Sequence, residues 1–267
     1  MYEVIEISLA SVQRLYGYHI NNVYGADFSI KGFDRPWLIA SHAWRKNERV
    51  LDVGAAYSNI PIYLQKTYGC EMWVADDFGT NSDEIFWTRD RSPQEHIEAH
   101  PEVNYVLERL GVSGSSLPED YFDVVYSLSA LEHVPAELTP AVWLHMHQLL
   151  KVGGELIHAI DIPFPSNYGI RGLLKTAGFE FLYPLMPKGM RRKYYLVTPR
   201  VYLRLALSTL GLTHRCVADL SVVNMALNPD VLAESYAHGL NRIRKDGQKS
   251  YRYHRVASLL VRLKKLA

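Results

Sequence analysis

The chain has 267 residues, 48% of them hydrophobic and 21% charged, an ordinary globular balance that excludes intrinsic disorder. The near-neutral total of 29 Lys and Arg against 28 Asp and Glu hides a split: residues 1–160 carry 11 basic and 22 acidic side chains, and residues 161–267 carry 18 and 6. Two cysteines, Cys70 and Cys216, exclude a disulfide-built scaffold and suit a reducing cytoplasm, and no signal peptide or transmembrane run is expected from the hydropathy pattern.

The predicted elements alternate between short apolar runs and helical patterns. RVLDVGAA (49–56) reads as a buried strand that ends in small residues. Asn59 and Pro61 open a helix that Gly69 closes. EMWVAD (71–76) is a second strand, and Ser92, Pro93 and Glu95 form a capping-box pattern that starts a helix near residue 93. VNYVL (103–107) and FDVVYSLS (122–129) are the third and fourth strands. Thr139-Pro140 opens a helix with Val142, Met146, Leu149 and Leu150 at helical spacing; Gly153-Gly154 is expected to end it before a fifth strand, ELIHAIDI (155–162).

Beyond Pro163 the pattern loosens. Residues 170–178 and 199–211 read as helices, and either FEFLY or THRCVADL supplies the sixth strand. The tail RYHRVASLLVRLKKLA reads as a basic amphipathic helix. Alternating strands and helices imply a parallel sheet. The expected organisation is an N-terminal helical or cap segment at 1–47, a core at 48–162, and a remainder at 163–267 that completes the sheet and covers the substrate.

Open parallel sheets bind ligands at the carboxyl ends of their strands, where the strand order reverses. After the first strand those positions are Asp52, Gly54, Ala55, Ala56, Tyr57 and Ser58. Glycine lets a ligand approach the backbone, and the following helix offers free N–H groups. After the second strand come Asp76 and Asp77, where a carboxylate can accept bonds from ribose hydroxyls. After the fourth come Ser127, Ser129 and His133.

VLDVGAAYS, WVADDF, YFDVVYSLSALEHVP and LLKVGGELIHAIDI, in that order, resemble the successive motifs of class I S-adenosylmethionine-dependent methyltransferases. The resemblance covers residues 48–162. It implies a doubly wound α/β fold with a mostly parallel seven-stranded sheet, helices on both faces and a C-terminal covering region. It also implies S-adenosylmethionine as cofactor and S-adenosylhomocysteine as product. Of the family's Asp/Glu-x-Gly-x-Gly-x-Gly pattern, Asp52 and Gly54 are kept, while Ala56 and Ser58 replace glycines. The same replacements fail the dinucleotide pattern G-x-G-x-x-G. By the family's pattern, Asp52, Gly54, Ala55, Ala56 and Ser58 line the methionine part and Asp76 or Asp77 holds the ribose. Ser113 or Gly114 contacts adenine, in a loop that lacks the usual acid, and Ser127 and Ser129 close the floor.

Each feature also has an ordinary structural role: Asp52 can cap a strand, and His133 can cap or pack. His145 and His147 share no helical face, and with no CxxC or HExxH pattern no metal site is expected. A hydroxyl acceptor needs a base, for which His133, Asp161 and His158 are the candidates. Arg191, Arg192 and Lys193 cluster in the basic part and suit phosphate oxygens. The expected reaction is methyl transfer to a small-molecule or glycan hydroxyl, on an acceptor that is anionic through phosphate or a lipid link. The absence of an added RNA-binding module argues against nucleic acid, although an RNA methyltransferase reads the same basic residues as a phosphate-binding face. A non-catalytic scaffold is the other rival. Val256, Leu259, Leu260 and Leu263, flanked by Lys and Arg, would let the tail helix lie on the inner membrane surface.

Overall fold

The computed structural model describes residues 3–5, 30–78, 92–111, 115–163, 216–223 and 256–266, with isolated positions between 174 and 206. In chain order the elements are β1 (Glu3–Ile5), α1 (Ile30–Ser41), β2 (Arg49–Val53), α2 (Ile60–Tyr68), β3 (Glu71–Ala75), α3 (Pro93–Ala99), β4 (Asn104–Val106) and β5 (Phe122–Leu128). There follow a 3-10 turn at Leu131–His133, α4 (Thr139–Leu149), β6 (Leu150–Pro163), β7 (Cys216–Val223) and β8 (Val256–Lys265). The strands form one sheet in the order β1-β7-β8-β6-β5-β2-β3-β4. Every neighbouring pair is parallel except β6–β8 and β7–β8. From β2 the chain runs outward through β3 to β4, then returns to the other side of β2 as β5. The order therefore reverses between β2 and β5.

Alternate residues along the strands pack into two apolar clusters. Leu51, Val53, Val125, Leu156 and Ile160 join Val142, Trp143, Met146 and Leu149 of α4. Val50, Val74, Val124, Tyr126 and Ile157 join Leu38 of α1 and Ile60, Ile62 and Leu64 of α2. Strands buried on both sides become the near-continuous apolar runs seen in the sequence. The predicted punctuation of α2 holds: proline stands in its first turn and Gly69 closes it at φ 72 with its N–H on the Gln65 carbonyl. α3 starts at Pro93 as expected, but the Ser92 hydroxyl makes no capping bond to it.

Four expectations need correction. The sheet has eight strands, because Glu3–Ile5 pairs with β7 along its edge; the segment 1–47 is therefore not only helical. The sixth-strand choice falls on Cys216–Val223, while Phe181 and Leu182 lie outside the sheet. Gly153 and Gly154 do not end α4. The helix stops at Leu149 and the pair lies inside β6, where a Cβ on Gly154 would come 2.9 Å from the Asp123 carbonyl oxygen beside an irregularity in β5–β6 pairing. The helix end is instead met by Lys265, whose ammonium donates to the His147 and Leu150 carbonyls at 3.0 and 2.6 Å.

The fourth correction is the tail. Residues 256–265 are an inner antiparallel strand between β6 and β7, not a helix. A short apolar run cannot be told from a helix by periodicity alone, and here both faces are covered: Ser258, Leu259 and Val261 are 0% exposed. The leucines assigned to a membrane surface belong to the core, which removes that route to peripheral membrane contact. Among the described residues no helix is long and apolar enough to cross a membrane. Leu259→Ala is expected to lower stability by about 2–5 kcal/mol, read as a fall in the urea midpoint; a surface helix would give almost no change.

Candidate active site

A cleft of about 700 Å³ opens over the carboxyl ends of β2, β3, β4 and β5, at the reversal point of the sheet. Asp52, Gly54, Ala55, Ala56, Ser58, Asp76, Asp77, Ser129 and His133, all singled out from the sequence, line it together.

The turn after β2 is the tightest part. Gly54 has φ 78, and a Cβ there would lie 2.6 Å from the Ala130 Cβ. Glycine is needed for both the conformation and the space. Ala56 also adopts a left-handed φ, 45, which costs an L-residue roughly 1–2 kcal/mol. Asp76 offsets that cost. One of its oxygens accepts the Ala56 N–H at 2.6 Å and the other the Phe78 N–H at 2.6 Å. One carboxylate thus ties the turn after β2 to the turn after β3. Burial raises the Asp76 pKa and these two N–H groups oppose that rise. Asp52 lies deeper, 3% exposed. Burial pushes its carboxyl up to about 8, against the neighbouring Tyr126 hydroxyl and with the help of the Asp76 charge.

Asp77 is held differently. Arg109 donates from Nε at 3.1 Å and from its terminal nitrogen at 2.8 Å, both to one Asp77 oxygen. Arg109 belongs to the loop after β4, whose Glu108, Arg109 and Leu110 also line the cleft. These three were not singled out from the sequence, because the strand ends at Val106 and the loop begins earlier than the glycine-rich stretch suggests. Glu108 is an acid in that loop that the sequence reading did not place; its carboxylate accepts from the Ser115 hydroxyl and from the Ser116 N–H at 2.9 Å. Gly111 fixes the loop against α4, since at φ 83 a Cβ would meet Val142 at 2.7 Å. Ser113 and Gly114 lie outside the described residues, as do Arg191, Arg192 and Lys193.

On the β5 side, Ser129 has φ 50 and its hydroxyl lies 3.3 Å from Asp161 Oδ1 and 3.4 Å from Asp34 Oδ2. Asp161 is thus brought to the cleft through Ser129. Asp34 and Arg35 of α1 line the cleft as well; no motif in residues 1–47 pointed to them. His133 borders the cleft with a side chain 56% exposed, 3.8 Å from Glu132. Two residues fall elsewhere. Ser127 is buried and donates its hydroxyl to the Val53 carbonyl at 2.7 Å, tying β5 to β2 beneath the floor. His158 is 0% exposed, packed edge-on against Trp143 with centroids 5.0 Å apart, and burial alone pushes its pKa down to about 3. A neutral core histidine in mid-strand cannot reach an acceptor, so His158 is withdrawn as a base.

Two outcomes follow for this turn. Ala56→Gly is expected to raise stability by up to about 1 kcal/mol, since the left-handed cost outweighs glycine's added chain entropy; thermal unfolding reads it. Asp52 binds its proton more tightly folded than unfolded, so stability is lost as pH rises from about 4, the unfolded value, through about 8. Asp52→Asn should flatten that part of the pH–stability curve, and an unchanged slope would contradict the buried protonated carboxyl.

Residues 51–158 match a family model described as a methyltransferase domain. No curated protein sequence matches the chain. Among solved structures, Haemonchus contortus phosphoethanolamine N-methyltransferase 2 in complex with S-adenosyl-L-methionine is similar at TM-score 0.56 and 15% identity, over 97% of this chain and 57% of that one. The same enzyme with phosphomonomethylethanolamine and S-adenosylhomocysteine gives 0.54, 15%, 97% and 58%. Geranyl diphosphate C-methyltransferase from Streptomyces coelicolor A3(2), in complex with Mg2+, geranyl diphosphate and S-adenosyl-L-homocysteine, gives 0.56 and 11%, over 96% of this chain and 98% of that one. The chain therefore spans less than two thirds of the Haemonchus enzyme, and at these identities the likeness concerns the fold. Residues 51–158 are thus similar to a methyltransferase domain, and the fold is like that of the class I, Rossmann-like methyltransferases.

Proposed function

We propose that the chain transfers a methyl group from S-adenosylmethionine to a small-molecule acceptor that bears an anionic group. The observation that carries this reading is the turn at Gly54–Ala56: a backbone cradle that a single Cβ would fill, clamped by Asp76 inside a matched methyltransferase domain. When bound, S-adenosylmethionine supplies an activated methyl group on a cationic sulfonium. The cleft is charged to receive a cation. Asp34, Asp76, Asp77 and Glu108 line it against Arg35 and Arg109. Gly54, Ala55, Ala56 and Ser58 would hold the methionine part. Asp76 or Asp77 would hold the ribose with lone pairs beyond those given to Ala56, Phe78 and Arg109. Glu108–Leu110, with Ser113 and Gly114, would face the adenine.

The chain's contribution to the transfer is alignment and exclusion of water, since the sulfonium is already a good leaving group. Phe78, Leu110, Leu131 and Val142 give the cleft its apolar walls. An anionic acceptor is supported by the 18 Lys and Arg after residue 160 and by Arg35 at the β5 side. The Arg191, Arg192 and Lys193 cluster supplies forked donors for phosphate or carboxylate oxygens.

Incubation of the protein and labelled S-adenosylmethionine with a metabolite extract should label small molecules that anion exchange retains. Arg191→Ala combined with Arg192→Ala should raise the acceptor Michaelis constant by about tenfold or more and leave cofactor binding unchanged. Label transferred only to RNA, or an unchanged Michaelis constant, would contradict the reading.

A further inference from the structure

The loop after β4 forms the adenine side of the cleft in the reading above, on which this inference rests. That loop is held at both ends. At its start the Val106 carbonyl accepts the Asp76 N–H at 3.2 Å and the Glu108 N–H at 3.0 Å, and Arg109 reaches Asp77 at 2.8 Å. At Gly111 the holder is α4. Val142 fills the space a Cβ would need, and the Gly111 N–H donates to His145 Nδ1 at 3.2 Å. Val142 and His145 stand three residues apart, on one face of the helix. Leu110, next to Gly111, lines the cleft and packs in the same apolar cluster as Val142, so the position of Gly111 sets the position of the cleft wall.

We propose that His145 is a positioning residue for cofactor binding: its neutral ring, acting through Gly111, holds the adenine loop closed on the cleft, and protonation of the ring releases the loop. A backbone N–H can only donate, so Nδ1 must accept and the ring proton must sit on Nε2. An imidazolium carries a hydrogen on both nitrogens and accepts nothing. Protonation therefore replaces the bond by two opposed hydrogens and leaves the Gly111 N–H unmet. His145 touches no part of the cleft itself; it acts through the backbone of the loop whose Glu108, Arg109 and Leu110 form the wall.

The ring is half-buried. Burial pushes its pKa below the ordinary 6.5, while the charges of Glu108 in the same loop and Glu119 ahead of β5 act in the other direction. His147, two positions on along α4, shares no helical face with it. The fold thus favours the neutral ring. The latch is closed at neutral pH and is lost as pH falls below 6.5, and cofactor affinity falls with it.

Calorimetric titration of S-adenosylhomocysteine at pH 8 and pH 5 tests this, with circular dichroism confirming the fold at each pH. At pH 8, His145→Leu should bind about tenfold more weakly than the wild type, the scale of one unmet N–H. His145→Asn carries its side-chain oxygen where Nδ1 stands and does not titrate; it should bind within about threefold of the wild type at pH 8. Between pH 8 and pH 5 the wild type should lose about tenfold in affinity, and His145→Asn about threefold at most. That rescue and that loss of pH dependence separate a positioning role from simple packing of α4. Wild-type affinity in a folded His145→Leu, or a fall toward pH 5 as steep in His145→Asn as in the wild type, overturns the proposal and leaves the methyltransferase reading intact. The pH comparison serves alone if His145→Leu fails to fold. A folded wild type that binds no S-adenosylhomocysteine at pH 8 overturns both.

Discussion

The Asp76 carboxylate is the contact on which the rest of the site depends. β2 and β3 run parallel with Val53 beside Ala75, so the chain leaves both strands at the same level. Two adjacent turns with unmatched N–H groups would splay apart or fill with water. A carboxylate with one oxygen on each turn holds them in register and keeps Ala56 in a left-handed conformation it would otherwise avoid. Burial disfavours the charge, and the two N–H donors oppose that effect. The Gly54 cradle, the position of Phe78 on the cleft wall and the approach of Asp77 to Arg109 all follow from that fixed pair of turns.

The charge split of the chain has two physical components. The acidic part supplies the cleft with carboxylates from Asp34 to Glu108. The basic part is not wholly free for a partner. Arg262 pairs with Glu155 at 3.0 Å across β8 and β6, and Lys265 pairs with Asp120 at 2.7 Å while meeting the end of α4. These cations fasten an inner antiparallel strand to the acidic core. The basic residues left for the proposed acceptor role include Arg191, Arg192 and Lys193.

The strands from β2 to β5 were legible from sequence because each is short and bounded by turn chemistry that acts locally: Gly69 at φ 72, Pro61 and Pro93 in first turns. Asp52, Gly54 and Asp76 were legible because their roles depend on strand ends alone. β8 was not, since its apolar run has the same composition as a helix face and its partners β6 and β7 are remote in sequence. Asp34 and Arg35 were missed because α1 reaches the cleft through packing on β5, β6 and β8, a tertiary fact with no local signature. His158 was misjudged because alternation along a strand does not say which face meets the ligand; Trp143 covers it.

The account's central claim is that Asp76 preorganises the cofactor turn. Calorimetric titration of S-adenosylhomocysteine into the wild-type protein and Asp76→Asn tests it most directly. An asparagine keeps the size and one carbonyl oxygen but cannot accept both the Ala56 and the Phe78 N–H. The account predicts binding by the wild type and a loss of about tenfold or more in the variant, the scale of leaving one such donor unmet, with the sheet still folded by circular dichroism. Wild-type affinity in a folded Asp76→Asn would contradict it.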